Sequence, residues 1–281
     1  MNEVGLGKAL QLARLSKGLT QQQLCQRANL SYSTLAKIER GAIKAPSIFT
    51  IQKIANTLGL ELSEILENVA GSKSMAGKKT SKSGIKFVYL DINGCLVRFY
   101  HRAFTKIAHQ FSISSEDVET VFWHYNDDVC RGKISLDEFN EKLSGDLKIE
   151  KINFQDYYMS SVEAMPGMYG LVNQIAANYR IGLISDIMPG FIDELMSREL
   201  IPKIIYDSII DSSVVMSLKP ELQIFQQAEQ KSDAESGEIL LIDDSRSNLA
   251  AADKMGWHVI WFNDTDPEDS IQRIKTALEI N

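Results

Sequence analysis

Phe87-Val88-Tyr89-Leu90-Asp91-Ile92-Asn93-Gly94-Cys95-Leu96 is an apolar run that ends in a carboxylate and turns at once on a glycine. The aromatic and β-branched residues at its start predict a buried strand, and Gly94 predicts the tight turn after it. Asp91 is thereby expected at the carboxyl end of a strand, where parallel α/β sheets build their sites. Three more runs share this grammar: Ile181-Gly182-Leu183-Ile184, Ile239-Leu240-Leu241-Ile242 and Val259-Ile260-Trp261-Phe262. Helical stretches separate them, and that alternation predicts a parallel sheet covered by helices on both faces. Residues 98–162 hold several helical segments and no convincing strand, so they are expected to form a helical cap inserted into an α/β domain spanning 85–281.

The first part of the chain reads differently. Apolar residues recur at helical spacing over residues 1–68, in Leu6, Leu10 and Ala13, in Leu24 and Ala28, in Leu35 and Ile38, and in Ile51, Ile54, Ala55 and Leu58. An all-α domain is expected there. Residues 69–84 are dominated by Gly, Ser and Lys, the composition of a flexible linker. The net charge of −7 is unevenly spread: residues 1–84 carry +7 and residues 85–281 carry −14. Such asymmetry points to a nucleic-acid-facing end joined to a part with another task, although Lys-rich linkers are also common. Cys25, Cys95 and Cys130 have neither metal-ligand nor disulfide-framework spacing, which fits a reducing cytoplasm. No signal peptide is evident, and no apolar run nears the ~18 residues that span a bilayer, so a membrane partner is not expected.

Within the helical part, Thr20 is placed to cap a helix on which Leu24 and Ala28 face a core, and Cys25 is small enough for a second helix to cross closely. Asn29 falls where the turn requires a left-handed backbone; Ser31 then caps the next helix, which Leu35 and Ile38 anchor. Together with Arg14, Gly18-Leu19-Thr20-Gln21 and Ile38-Glu39-Arg40-Gly41, these residues resemble the helix-turn-helix of the Cro/C1 repressor (Xre) family over about residues 4–66. The resemblance implies a partner in double-stranded DNA, with the second helix entering the major groove by its N-terminal end. Tyr32, Ser33 and Lys37 would then face bases, while Gln21 and Lys44 would touch phosphate. A specific site of this kind needs a homodimer. Small helical bundles also serve as protein-docking modules.

Four elements of the second domain fall into order: Asp91-Ile92-Asn93, Ser185 in Leu183-Ile184-Ser185-Asp186, Lys219 in Leu218-Lys219-Pro220-Glu221, and Asp243-Asp244 in Leu241-Ile242-Asp243-Asp244-Ser245. The first, second and fourth each end an apolar strand, which directs them to one edge of the sheet. A carboxylate can take a phosphoryl group, and its charge must be offset as it nears an anionic phosphate. Oxygen-ligated Mg²⁺ does this, with Asp91, the Asn93 carbonyl, Asp243 and Asp244 as candidate ligands. Lys219 would neutralise phosphate and nucleophile, and the Ser185 hydroxyl would donate to phosphate oxygen. Asn248, one turn beyond the acidic pair, is placed to orient it or to act as a cap or surface residue.

This order and spacing is similar to that of haloacid dehalogenase-like phosphohydrolases over about residues 85–270, which implies a Rossmann-like α/β fold with the insert as its cap. Cap residues Trp123, Asp127 and Arg131 are candidate contacts to a phosphorylated small molecule; Trp123 has a core alternative, and His124 a surface one.

The resemblance breaks at Asn93. The family pattern implies an Asp there, which protonates the leaving oxygen and then activates water. Asn can do neither, though its backbone carbonyl can still meet a metal. Three readings stay open: a ligand sensor, a slow phosphatase for a good leaving group, or a switch in which phosphorylated Asp91 accumulates. The sequence favours a cytoplasmic DNA-binding regulator whose second domain binds Mg²⁺ and a phosphorylated small molecule with weak or lost phosphatase activity. The alternative is an active phosphatase with an accessory DNA-binding module.

Overall fold

A computed structural model describes residues 6–7, 10–11, 13–14, 17, 19–40, 42–43, 46–60, 78–98 and 101–280, in two units, Met1–Gly77 and Lys78–Asn281. In the first unit, helices α1 (Gln21–Ala28), α2 (Tyr32–Glu39) and α3 (Ile48–Leu58) follow one another. Thr20 opens α1 with a reciprocal capping box: its hydroxyl accepts the Gln23 N–H, and the Gln23 side chain accepts the Thr20 N–H. Asn29 takes the left-handed conformation (φ 49°) that ends α1, and Ser31 caps α2 by accepting the Thr34 N–H at 3.1 Å. The expected helical spacing places Leu10, Leu24, Cys25, Leu35, Ile38, Ile51, Ile54 and Leu58 in one buried cluster.

A charged pair is buried in the same unit. Arg14 donates Nε and Nη2 to the two oxygens of Glu39 at 2.8 and 2.9 Å, and Nη1 to the Leu19 carbonyl at 2.7 Å. The hydrogen bond to Glu39 holds the Arg14 guanidinium above its usual pKa despite burial.

In the second unit the order is β1 (Phe87–Leu90), β2 (Val97–Arg98), α4 (His101–Phe111), α5 (Ser115–Cys130), α6 (Leu136–Leu147), α7 (Phe154–Met159), β3 (Glu163–Ala164) and α8 (Met168–Asn178). There follow β4 (Arg180–Ser185), α9 (Phe191–Ser197), β5 (Ser208–Asp211), α10 (Ser212–Val215), α11 (Leu222–Ser232), β6 (Ile239–Asp243), α12 (Arg246–Lys254), β7 (His258–Trp261) and α13 (Pro267–Ala277). One parallel sheet runs β5-β4-β1-β6-β7. β1 is central and wholly buried: Phe87 and Tyr89 belong to the core on one face, Val88 and Leu90 to the core on the other. The winding reverses between β1 and β6, so a crevice opens at the carboxyl ends of these strands.

β5 escaped the sequence reading. Ser208 and Ile210 are buried while Ile209 is 39% exposed, as expected of an edge strand with one open face. It lacks the continuous apolar run of the inner strands β1, β4 and β6, a run that the other edge strand, β7, also keeps.

The insert rises between β2 and β3, which pair antiparallel at its base. Its helices close on Phe104, Phe122, Phe139 and Phe154, with ring centroids 4.9 Å apart for Phe104–Phe122 and 5.0 Å for Phe122–Phe154. Ser114, Ser135 and Asn153 cap α5, α6 and α7.

The linker expectation divides. Residues 61–77 lie outside the described residues. Residues 78–84 instead belong to the second unit: the Lys79 N–H donates to the Asn178 carbonyl at 2.7 Å, and buried Ser81 bonds Ile85 through backbone and hydroxyl. Composition hides this because backbone groups make most of these contacts.

Glu39→Ala leaves the Arg14 charge buried and unpaired, so it should cost the first unit about 3–5 kcal/mol. Lys37→Ala, at an exposed position, should stay within about 0.5 kcal/mol. Urea unfolding followed by circular dichroism measures both.

Candidate active site

β1, β4 and β6 are neighbours, so their carboxyl ends bring Asp91, Ser185, Asp243 and Asp244 together, and the loop between α10 and α11 adds Lys219. Lys219 Nζ lies 2.6 Å from Asp243 Oδ2 and 3.0 Å from Asp91 Oδ1, with its side chain 1% exposed. Asp91 Oδ1 also accepts the Ser185 hydroxyl and the Ile92 N–H, each at 2.7 Å. Among the described residues no hydrogen bond reaches Asp91 Oδ2, which leaves that oxygen for chemistry.

Ser185 differs from expectation. It is fully buried and its hydroxyl donates to Asp91 rather than facing the cleft. Asp243 is likewise fully buried: it accepts Lys219 on Oδ2, the Ser245 N–H on Oδ1, and the Asn248 amide on both oxygens at 3.1 and 3.2 Å. Of the readings weighed for Asn248, the structure favours orientation of the acidic pair. Asp244 is only partly buried and lines the cleft. Gly94 makes room for it: with φ 82°, a Cβ there would lie 2.1 Å from Asp244 Oδ2.

One carboxylate oxygen from each of Asp91, Asp243 and Asp244 lies within 4.8 Å of the others. An all-oxygen set of this charge fits a hard divalent cation. The Asn93 carbonyl, the fourth expected ligand, belongs to the turn that follows Asp91. Burial pushes the Asp91 carboxyl up, and Asp243 and Asp244 add repulsion against the pull of Lys219 and Ser185. Burial and then Asp243 push Asp244 up to about 6. For Lys219 burial acts downward, but Asp243, Asp91 and Asp186 outweigh it and hold the ammonium charged.

The Asn93 side chain is held at both ends. Its Oδ1 accepts the Tyr158 hydroxyl at 2.7 Å, and its Nδ2 donates to the Asp186 carbonyl at 3.4 Å. Tyr158 comes from α7 of the cap, and burial keeps its phenol above the usual pKa. Asp186 lines the cleft and accepts the Lys219 N–H at 2.9 Å. The sequence reading assigned neither residue a role. Asp186 was within reach, since it directly follows Ser185; nothing in the sequence marks Tyr158 among the cap's aromatic residues.

Cap and sheet enclose a cleft of about 690 Å³ that reaches Asp91, Asn93, Lys219 and Asp244 and is bordered by Trp123, Asp127 and Arg131. Trp123 is 45% exposed, so its core alternative does not hold. Arg131 is less available to a ligand than expected: its guanidinium grips Glu221 with two hydrogen bonds, one of them 2.9 Å, and holds that carboxyl down to about 2. The buried cation beside Asp91 is Lys219. His124 is exposed, as its surface alternative has it.

In the first unit, Tyr32, Ser33 and Lys37 are exposed on α2, at and one turn beyond its N-terminus. Gln21 is instead turned to the protein, donating its amide to Glu39 at 2.8 Å. Lys44 lies outside the described residues.

Comparison with known proteins agrees with this division. Residues 87–262 match the family model described as haloacid dehalogenase-like hydrolase, and residues 10–65 match the one described as helix-turn-helix. Over 61 residues, 22% of this chain, the sequence is 41% identical to an immunity repressor protein of Bacillus phage phi105 and spans 42% of that protein. A HAD-like family hydrolase from Porphyromonas gingivalis, described as predicted, superposes with a TM-score of 0.58 at 22% identity, over 68% of this chain and 97% of that one. A Bacteroides thetaiotaomicron family enzyme solved with magnesium and inorganic phosphate gives 0.55 at 18% identity, over 64% and 96%. At these identities the structural likeness is one of fold.

Gly94→Ala should destabilise the second unit by about 1–3 kcal/mol, because it combines left-handed strain with a clash on Asp244. Gly145→Ala, exposed within α6 with open space around it, should stabilise by about 0.5–1 kcal/mol. Thermal unfolding of the two variants beside the native chain tests the contrast.

Proposed function

From the premise that this chain belongs to the haloacid dehalogenase-like hydrolase family, we propose that its α/β unit binds a phosphorylated small molecule with Mg²⁺ and turns it over weakly or not at all. In this reading the helix-turn-helix unit makes the protein a DNA-binding regulator in the cytoplasm, with the α/β unit as its sensor. The Asn93 amide beside an otherwise complete set of Asp91, Lys219, Asp243 and Asp244 carries the reading.

The chemistry divides along that line. Attack of an Asp91 oxygen on phosphorus would form an aspartyl phosphate as the ester P–O bond breaks, and the departing oxygen then needs a proton. Release of phosphate needs a water that loses one. An amide supplies neither service, and loss of such a group costs about 10²–10⁴ in rate. Binding does not need the missing group. Lys219 offsets anionic charge, and Asp91, Asp244 and the Asn93 carbonyl would hold the cation, with Asp243 fixing Lys219 and completing the acidic set. Mg²⁺, when bound, would offset the phosphate charge. The intact acidic cluster also supports the second reading, a working phosphatase. The regulatory reading draws on the repressor matched by the first unit and on the exposed Tyr32, Ser33 and Lys37. Ligand and operator would then bias one another, because coupling between sites is reciprocal.

In Mg²⁺-dependent phosphate release from a panel of phosphorylated metabolites, Asn93→Asp should exceed the native protein by about 10²–10⁴-fold, and EDTA should abolish the gain. Equal and rapid turnover by both would put the phosphatase reading first. Duplex DNA affinity should fall linearly on a logarithmic salt scale, and Lys37→Ala should weaken it. If Tyr32→Ala and Lys37→Ala together leave duplex binding unchanged, the first unit is a docking module.

A further inference from the structure

Asn93 sits in surroundings that suit an amide. A hydroxyl donates to its oxygen and a carbonyl accepts from its nitrogen, so both ends of the side chain are matched. An ionised carboxylate in the same pose would still accept from Tyr158, but would face the Asp186 carbonyl with no proton between them. The Asn93 contacts also continue on both sides. Tyr158 is 2% exposed and packs its ring on Phe191 of α9, with centroids 5.0 Å apart. Asp186 accepts the Lys219 N–H through its carboxylate. A single path therefore runs from the cap through Tyr158, Asn93 and Asp186 to the backbone of the buried cation.

We propose that Tyr158 is a positioning residue that holds Asn93 and latches the cap to the motif turn, and that capture of a phosphate group beneath the cap depends on this latch. The inference rests on the reading of the cleft as a phosphate site. Two other cap contacts differ in kind: the Arg131–Glu221 pair lies at the cleft rim, and the Ser212 hydroxyl donates to the Cys130 carbonyl at 2.6 Å. Neither ends on the turn that follows Asp91. Position 93 then serves as a neutral tether, and the amide closes the cap by hydrogen bonds that no change of pH across the physiological range removes.

The test is a double-mutant cycle on the full chain, read as affinity for inorganic phosphate in the presence of Mg²⁺ by calorimetry. Tyr158→Phe keeps the ring on Phe191 and removes only the donor. Tyr158→Phe and Asn93→Ala should each weaken phosphate by about two- to tenfold, and the double variant should lose no more than the weaker-binding single. Arg131→Ala combined with Asn93→Ala should instead lose the product of the two single effects. Native affinity in Tyr158→Phe, or multiplicative losses in the 93/158 double variant, overturns the latch. Should the native chain bind no phosphate, the functional reading fails, and hydrogen exchange of the ligand-free protein decides the latch separately. Tyr158→Phe should then speed exchange over residues 91–97 and α7 while β4 and β6 keep their native rates. Unchanged exchange in the turn and α7 overturns it.

Discussion

The ammonium of Lys219, buried between Asp91 and Asp243, is the contact on which the arrangement of the site depends. Parallel strands deliver their carboxyl ends to a common edge, and here two adjacent strands deliver carboxylates that share almost no water. Unpaired, each would cost several kcal/mol or would take up a proton. Lys219 joins them, Asn248 and the Ser245 N–H fix Asp243 from the far side, and Ser185 and the Ile92 N–H fix Asp91. The balance is still incomplete. Three carboxylates face one ammonium, and Asp91 and Asp244 are pushed up first by burial and then by repulsion within the cluster. A divalent cation is the natural way to close it.

The helix-turn-helix unit solves a smaller version of the same problem by exact charge matching. One guanidinium meets one carboxylate through two hydrogen bonds, and its Nη1 donates to the Leu19 carbonyl. Gln21 joins this pair, so a residue expected at a phosphate helps to fix α2 against the chain that precedes α1. A balanced buried pair stabilises a scaffold, whereas an unbalanced cluster leaves a binding site.

How far this was legible in the sequence follows from how locally each feature is encoded. Thr20, Asn29 and Ser31 act through their own backbone neighbours, so their roles could be read directly. β1, β4 and β6 announce themselves as continuous apolar runs because both faces are covered, and the edge strand β7 keeps such a run; β5, whose Ile209 faces outward, does not. Asp91 and the acidic pair were visible because strand ends converge by topology, while Lys219, on the loop between α10 and α11, was visible only through the order of the motifs. Tyr158 was not, since its role depends on how the cap comes down on residue 93, 65 positions away in sequence. Ser185 and Arg131 were found as residues but differ in partner, because side-chain partners are chosen by packing that spacing does not record.

The backbone of the motif turn bears on chemical ageing. An Asn followed by Gly is the dipeptide most prone to deamidation, in which the glycine nitrogen attacks the side-chain amide and leaves aspartate or isoaspartate. Here the Gly94 N–H is engaged with the Val97 carbonyl at 2.9 Å, and the amide it would have to reach is held by Tyr158 and Asp186. Both reacting groups are kept from their cyclic intermediate by the fold. The native protein thereby guards the identity of residue 93 against slow conversion into the acid, and protein that has been unfolded and stored is where that protection lapses.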